Sequence, residues 1–540
     1  MASQVAFDSS SPAERLALWL DGRRRWVFGL IALTYLAAYN GRWLIGPDSA
    51  LYSTIGRNLA EGHGYTYHGQ PHTLVYPLLP WLLGGLWQIT GVSHFAAATA
   101  MLTLALLALA LVYRLARLHL GRPHAVAVTA LVALTDLVHH FSFHVLTDIP
   151  FFLGVVAVLA GYEGIRQRGG DGGAAAPPAR PHEWADWLLL AGGLMVAVLA
   201  RPTMWALVAA LLATAAWHLL LGPQRWRHAA IGGLTVAALG VFYLIDPRRH
   251  AAAAAQHARP GTADASSSLS TTSPAAGHSY ESGVLAHVSD PMALFEHIRE
   301  QSLPALLDAH AIEAMLAIEL GPALLNAVGG LVVIALGLAM ARRRVLWGAL
   351  VAATLAMMLV HLPVVRYFMP LIPIMAMAWW LVVLYVSRRL PERGAHWASV
   401  ALLTLVLGPN IGHVIKTIIR QRQTPFYEHY EHGAYLPYLH LGERLPDVVE
   451  PDAWVVSEEG RLMTFQSRRR VVERYELSHL VDPAAPGYVL EPADDPLLDD
   501  DLLDWRRGEP VHTFTLHDRR WLLRPLIPAA ADAPAETAAP

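Results

Sequence analysis

The sequence predicts an all-helical, polytopic membrane protein of about eleven spans, with a small soluble α/β domain at its C-terminal end. Three observations predict it. Of 540 residues, 54% are apolar and only 15% are charged, with a mean hydropathy of +0.36, whereas charge makes up about a quarter of an ordinary globular chain. The missing charge is concentrated in apolar runs of about twenty residues, the length that crosses the hydrocarbon core of a bilayer. After Lys416 the composition turns soluble and short β-like runs replace the long apolar ones. The 40 basic and 43 acidic residues nearly cancel, which gives no argument for a nucleic-acid partner. The absence of cysteine excludes disulfides, thiolate nucleophiles, Cys-type zinc sites and iron–sulfur clusters.

Residues 1–25 read as a polar cytoplasmic segment. The first apolar run ends in Asn40, Gly41 and Arg42 rather than a small-residue cleavage site, so no cleaved leader is expected. Eleven runs qualify as spans: Trp26 to Ile45, Phe95 to Ala116, Ala125 to Phe141, Ile149 to Ile165, Trp184 to Ala200, Thr203 to Leu221, Ala229 to Ile245, Leu320 to Met340, Val345 to His361, Phe368 to Val386 and Trp397 to Ile415. Together they make a membrane domain over 26–415. Leu74 to Ile89 is also apolar, but it is short and interrupted by Pro77 and Pro80, so it reads as an interfacial or re-entrant segment. With Arg23 to Arg25 in the cytoplasm, every later arginine cluster between spans also falls inside, from Arg114, Arg117 and Arg122 to Arg388, Arg389 and Arg393. Arg248, Arg249, Lys416 and Arg420 are the exceptions.

Four elements then face outward. In the first loop, 46–94, Asp48 to Glu61 reads as a helix lying on the membrane, N-capped by Asp48 and stopped by Gly62, with Tyr52, Ile55 and Leu59 on one face. The second element is the short turn around Asp148. The third, 246–318, begins as a low-complexity tract, mobile over Ala251 to Ser282, and continues through short helices near Pro291 to Arg299. The tail, 416–528, reads as a helix near Tyr435 to Leu445 and β-runs at Trp454 to Ser457, Arg470 to Glu473, Tyr488 to Leu490, His512 to Leu516 and Trp521 to Leu523. Residues 529–540 are Ala/Pro-rich and expected to be disordered.

Sorting ionisable residues by side leaves Asp48, Asp148, Arg201, His361 and Arg366 at the outer ends of spans. Carboxylates and arginines at one membrane face suit an anionic lipid head group, because Arg pairs with phosphate and a carboxylate orients or deprotonates a hydroxyl. Each residue also has a plain structural reading. Asp48 and Asp148 precede helices, where N-capping explains their type, and Arg201 and Arg366 are placed where arginines snorkel to the interface. His139, His140 and His144 lie near Asp148, but a neighbouring pair and an i+4 spacing do not define a metal site, and His250, His257 and His278 belong to low complexity. No Walker motif, dinucleotide-binding glycine fingerprint, Gly-x-Ser-x-Gly or internal repeat is present.

The stretch GPDSALYSTIGRNLAEGHGYTYHGQPHTLVYPLLPWLLGGLW, from Gly46 to Trp87, resembles the first outer loop of GT-C integral-membrane glycosyltransferases. It is most similar to the branch that includes the aminoarabinose transferase, the protein O-mannosyltransferases and the lipopolysaccharide galacturonosyl transferases. HVLTDIPFF at His144 to Phe152 resembles that branch's second acidic motif, ARPTMW at Ala200 to Trp205 its Arg-Pro helix start, and VVRYFMPLIP at Val364 to Pro373 its late Arg-Tyr motif. The resemblance implies a GT-C bundle in a bacterial inner membrane, with transfer from a polyprenyl-phosphate sugar donor on the extracytoplasmic face. It implies a lipid, glycan or protein acceptor in the cell envelope and inversion at the anomeric carbon. By the same resemblance Asp48 is the catalytic carboxylate and Asp148 its support. Arg201, Arg366 and Tyr367 would face the donor phosphate, with Tyr52, Arg57 and His361 as further candidates. Ser49 stands where many relatives carry a second acidic residue, so no obligatory metal is expected, although a divalent ion is not excluded.

The rival from another class is a transporter or flippase of a polyprenyl-linked sugar, which would carry internal repeats and midplane charges. An O-antigen ligase or polymerase, or a non-catalytic scaffold, are further alternatives.

Overall fold

The structure, a computed structural model, describes residues 11–42, 44, 46–168, 183–221, 225–248, 291–299, 335, 337–339, 344–360, 365–423, 435–473, 487–494, 505–516 and 519–528. The chain opens with two helices, α1 (Pro12–Gly22) and α2 (Arg24–Ala38). The sequence reading treats α1 only as polar, yet Ser11 and Glu14 form a capping box, and Ala13 and Ala17 pack into the bundle. The loop 46–94 supplies α3 (Pro47–Ala60), a hairpin of β1 (Thr66–Tyr67) and β2 (Gln70–Pro71), and α4 (Leu78–Thr90). His68 and Gly69 both take positive φ, 55° and 75°, as a two-residue hairpin turn requires.

The bundle continues with α5 (His94–Leu120), α6 (Arg122–Leu134), α7 (Asp136–Phe141), α8 (Asp148–Arg168), α9 (Glu183–Ala200), α10 (Met204–Leu221) and α11 (Arg225–Ile245). After the short α12 (Pro291–His297) come α13 (Val345–Val360), a 3-10 segment (Val365–Leu371), α14 (Ile372–Arg389) and α15 (Glu392–Gln423). By length and composition, six described helices can cross a membrane: α5, α8, α10, α11, the 3-10 segment continued by α14, and α15. Helices α6, α9 and α13 are apolar but shorter.

Ten of the eleven expected spans fall on described helices. Leu320 to Met340 lies almost entirely outside the described residues, as do Ala251 to Ser282 and 529–540. The third expected span, Ala125 to Phe141, is corrected: it breaks at Thr135 into α6 and α7. The first turn of α7 is held from outside, since the Asp136 N–H donates to the Asn410 side chain of α15 at 2.6 Å.

α8 is the central helix, 94% of its spanning window being buried, whereas α11 and α15 are 28% and 22% buried and form the periphery. α9 packs closely along α8 through small residues. A Cβ on Gly154 would lie 2.8 Å from backbone atoms of Gly193 and Ala197, and one on Gly161 would lie 2.6 Å from those of Asp186 and Leu190.

The tail folds as an α/β domain of α16 (Leu436–Val448), β3 (Trp454–Val456), α17 (Gly460–Ser467), β4 (Arg470–Val472), β5 (Gly487–Pro492), β6 (Trp505–Arg507), β7 (His512–Leu516) and β8 (Arg519–Pro528). Strands β4, β3 and β5 are parallel, and β8 runs antiparallel to β5, β6 and β7. The helix α17 and the strand β6 were not anticipated. α17 is the crossover that the parallel pair β3 and β4 needs. Leu439, Leu462 and Phe465 of this domain share one apolar cluster with Ala50 of α3 and with Leu79, Leu83 and Trp87 of α4. Enclosed by α4, the hairpin and α17, α3 is buried along most of its length from Ser49 to Arg57 rather than lying bare on a membrane surface.

Candidate active site

Asp48 sits in the first turn of α3 but does not cap it. Gly46 is the N-cap, and the Ser49 hydroxyl receives the Gly46 N–H at 3.1 Å and donates to its carbonyl at 2.8 Å. Ser49 thus satisfies the helix start and leaves the Asp48 carboxylate to project elsewhere. The side chain is 43% exposed, with Arg366 Nη2 3.4 Å from Oδ2 and Arg461 Nη1 3.4 Å from Oδ1.

The second carboxylate has a different setting. Asp148 begins α8 and is only 2% exposed, in a short ion pair with Arg201, which follows the end of α9. The Arg201 guanidinium lies 5.0 Å from the Tyr367 ring centre and 5.9 Å from that of Phe151. Arg366 and Tyr367 are adjacent in the 3-10 segment, where successive side chains diverge by about 120°. One therefore serves Asp48 and the other serves Arg201.

Tyr52, one turn along α3 from Asp48, lies within the field of both acids and of Arg201. Burial, with the charge of Asp48 added, pushes its phenol up to about 12, so it stays a protonated donor. The structure thus brings together Asp48, Tyr52, Asp148, Arg201, Arg366 and Tyr367 from four separate segments.

A further wall comes from residues the sequence reading did not select. Arg248, just beyond α11, pairs with Asp246 through contacts of 2.7–3.0 Å and lies 3.9 Å from the Tyr76 ring centre. His72 is held neutral, its pKa lowered to about 3 by burial and then by Arg461 and Arg248, which places it within the field of both cations. Arg461 Nε faces Glu473 Oε1 at 3.4 Å. A signal for Arg248 was available: it is one of the four basic residues that depart from the charge bias. Arg461 carried no such signal, because an arginine in a soluble domain is ordinary.

Comparison with known proteins reaches the same fold. Residues 70–171 match the family of dolichyl-phosphate-mannose-protein mannosyltransferases. The fold is similar to that of ArnT from Cupriavidus metallidurans bound to undecaprenyl phosphate, with a TM-score of 0.54, 14% identity, and 93% of this chain and 98% of that chain covered. Its apo state gives 0.52 at the same identity and coverage. The oligosaccharyltransferase AglB from Archaeoglobus fulgidus, in complex with an inhibitory peptide and a dolichol-phosphate, gives 0.51 at 14% identity, with 84% of this chain and 64% of that chain covered. The chain has the GT-C glycosyltransferase fold. Both the matched family and the similar structures are glycosyltransferases or oligosaccharyltransferases. No curated protein sequence matches the chain.

Two candidate residues stand apart from the cluster. Arg57 points under the C-terminal domain, donating to the Phe465 carbonyl at 2.7 Å with its guanidinium 5.1 Å from the Phe465 ring centre, so it serves docking rather than the carboxylates. His361 lies outside the described residues, as do His250, His257 and His278. His139 packs edge-on against Tyr35 and Phe143, while the His140 and His144 rings lie 4.5 Å apart. Among the described residues no three His, Asp or Glu side chains gather to hold a metal.

Proposed function

We propose that this chain is a membrane glycosyltransferase that moves a sugar from a polyprenyl-phosphate donor to an acceptor hydroxyl at the Asp48 end of the bundle. The observation that carries the reading is the contrast between the two acids. A base must reach its substrate, and Asp48 is half-exposed with 3.4 Å contacts, whereas Asp148 is enclosed and locked to Arg201. In the reaction the acceptor oxygen bonds to the anomeric carbon as the carbon–phosphate-oxygen bond breaks. The hydroxyl proton passes to Asp48, and polyprenyl phosphate leaves as an anion stabilised by guanidinium groups, of which Arg366 is the nearest. Attack opposite the leaving phosphate inverts the sugar. Asp148, Arg201 and Tyr367 keep the floor of the site fixed.

Support for a lipid-phosphate donor comes from the fold's neighbours, one carrying undecaprenyl phosphate and one dolichol-phosphate. The arginine bias supports a cytoplasmic N-terminus with the site and C-terminal domain outside, and we take the membrane to be a bacterial inner membrane and the acceptor to be an envelope lipid, glycan or protein. No step uses a metal. Asp48→Asn, assayed in membranes with labelled polyprenyl-phosphate sugar, is expected to lower transfer by at least about a hundredfold while expression and lipid binding stay intact. Chelation of divalent ions leaves the wild type active. Near-normal turnover of the Asn variant removes Asp48 from the role, and unimpaired transfer-free translocation by both forms favours a flippase.

A further inference from the structure

Arg461 reaches the site from the far end of the chain, and its placement has a visible cause. A Cβ on Gly460 would lie 2.7 Å from the Val472 carbonyl carbon and 2.8 Å from the Glu473 nitrogen, so only glycine lets the start of α17 press on the end of β4. That contact sets Arg461 beside Glu473. Leu462 and Phe465 then anchor α17 against α3 and α4, which points the Arg461 guanidinium at Asp48.

Two guanidiniums, one from the bundle and one from the C-terminal domain, therefore bracket a single carboxylate, one on each oxygen. Both contacts, at 3.4 Å, exceed the about 2.7–2.9 Å of a closed charge-assisted bond. Arg366 Nε is buried without a hydrogen-bond partner among the described residues. Donors held this loosely around one anion remain available to a second with more oxygens.

We infer that Arg461 is a donor-binding residue: with Arg366 it forms a two-armed clamp for the phosphate of the lipid-linked sugar, which makes the C-terminal domain a wall of the active site. The inference rests on the transferase reading above. When phosphate enters, both guanidiniums turn from Asp48 to the phosphate oxygens, and Asp48 is left to take the acceptor's proton. Glu473 is the positioning residue that keeps Arg461 aimed.

The test uses the full chain in lipid nanodiscs and two readouts: binding of undecaprenyl phosphate without sugar, and transfer of labelled sugar. Arg461→Gln is expected to weaken undecaprenyl-phosphate binding and raise the donor KM at least about tenfold, with a smaller change in kcat. Arg461→Lys should fall between that variant and the wild type, and Glu473→Gln should raise KM less. Arg461→Lys keeps the charge and stands in if the Gln variant does not fold. Wild-type binding retained in full by Arg461→Gln overturns the clamp, as does a loss of kcat at constant KM. If the wild type neither binds undecaprenyl phosphate nor transfers sugar, the transferase reading falls together with the inference.

Discussion

Asp148 and Arg201 form a pair whose members are 2% and 8% exposed, each the other's main compensation. Replacing one with a neutral residue leaves a buried charge alone, a loss of roughly 3–5 kcal/mol. Asp148→Asn and Arg201→Gln should each lower the thermal midpoint in detergent, and the double variant should recover part of the loss. Two additive single losses would show that the residues act separately. Asp48, Asp148, Arg201 and Arg366 were legible in the sequence because each is an ionisable residue at the end of an apolar run, where the bilayer makes charge conspicuous. Arg461 and Glu473 were not, since charge in a soluble domain signals nothing by itself.

The tightest helix pair, α8 with α9, also joins two arginines at the end away from Asp48. Asp186, fully enclosed on α9, pairs with Arg114 of α5 and, at 3.0 Å, with Arg168 of α8. Removal of that carboxylate strands both guanidiniums against the helix interface. Asp186→Ala is therefore expected to lower stability by about 1–3 kcal/mol, less than a fully buried pair because both arginines are partly exposed, read as a fall in the detergent melting midpoint; an unchanged midpoint refutes the role. Hydrophobic runs located the helices, because a spanning segment must be both long and apolar. They could not locate the break at Thr135, which depends on Asn410, a partner hundreds of residues away. The crossover helix α17 was equally invisible, being short and of mixed polarity.

Across the whole molecule, the C-terminal domain meets the bundle through an apolar cluster, and it carries an acidic group of its own beside Arg461. Burial pushes Glu459 from 4.5 up to about 7, with Glu473 and Glu458 adding to the rise. A carboxyl protonated in the folded state contributes stability that is full below pH 4.5 and is lost as pH rises through about 7. The domain should thus melt at lower temperature at pH 8 than at pH 5, and Glu459→Gln should flatten that dependence. A pH profile identical in the two proteins would remove Glu459 as its source. The general plan of bundle plus soluble tail was legible in composition alone, whereas the tail's share in the site was not, because it depends on which surface the domain presents.

The two ion pairs of Asp48 span 318 and 413 residues of sequence. Asp48 leaves the ribosome before Arg461 by an interval of about 20–80 s at about 5–20 residues per second. A nascent chain can thus insert its early helices while Asp48 still lacks one of its two ion-pair partners, so the setting of Asp48 is completed only once the C-terminal domain has been made.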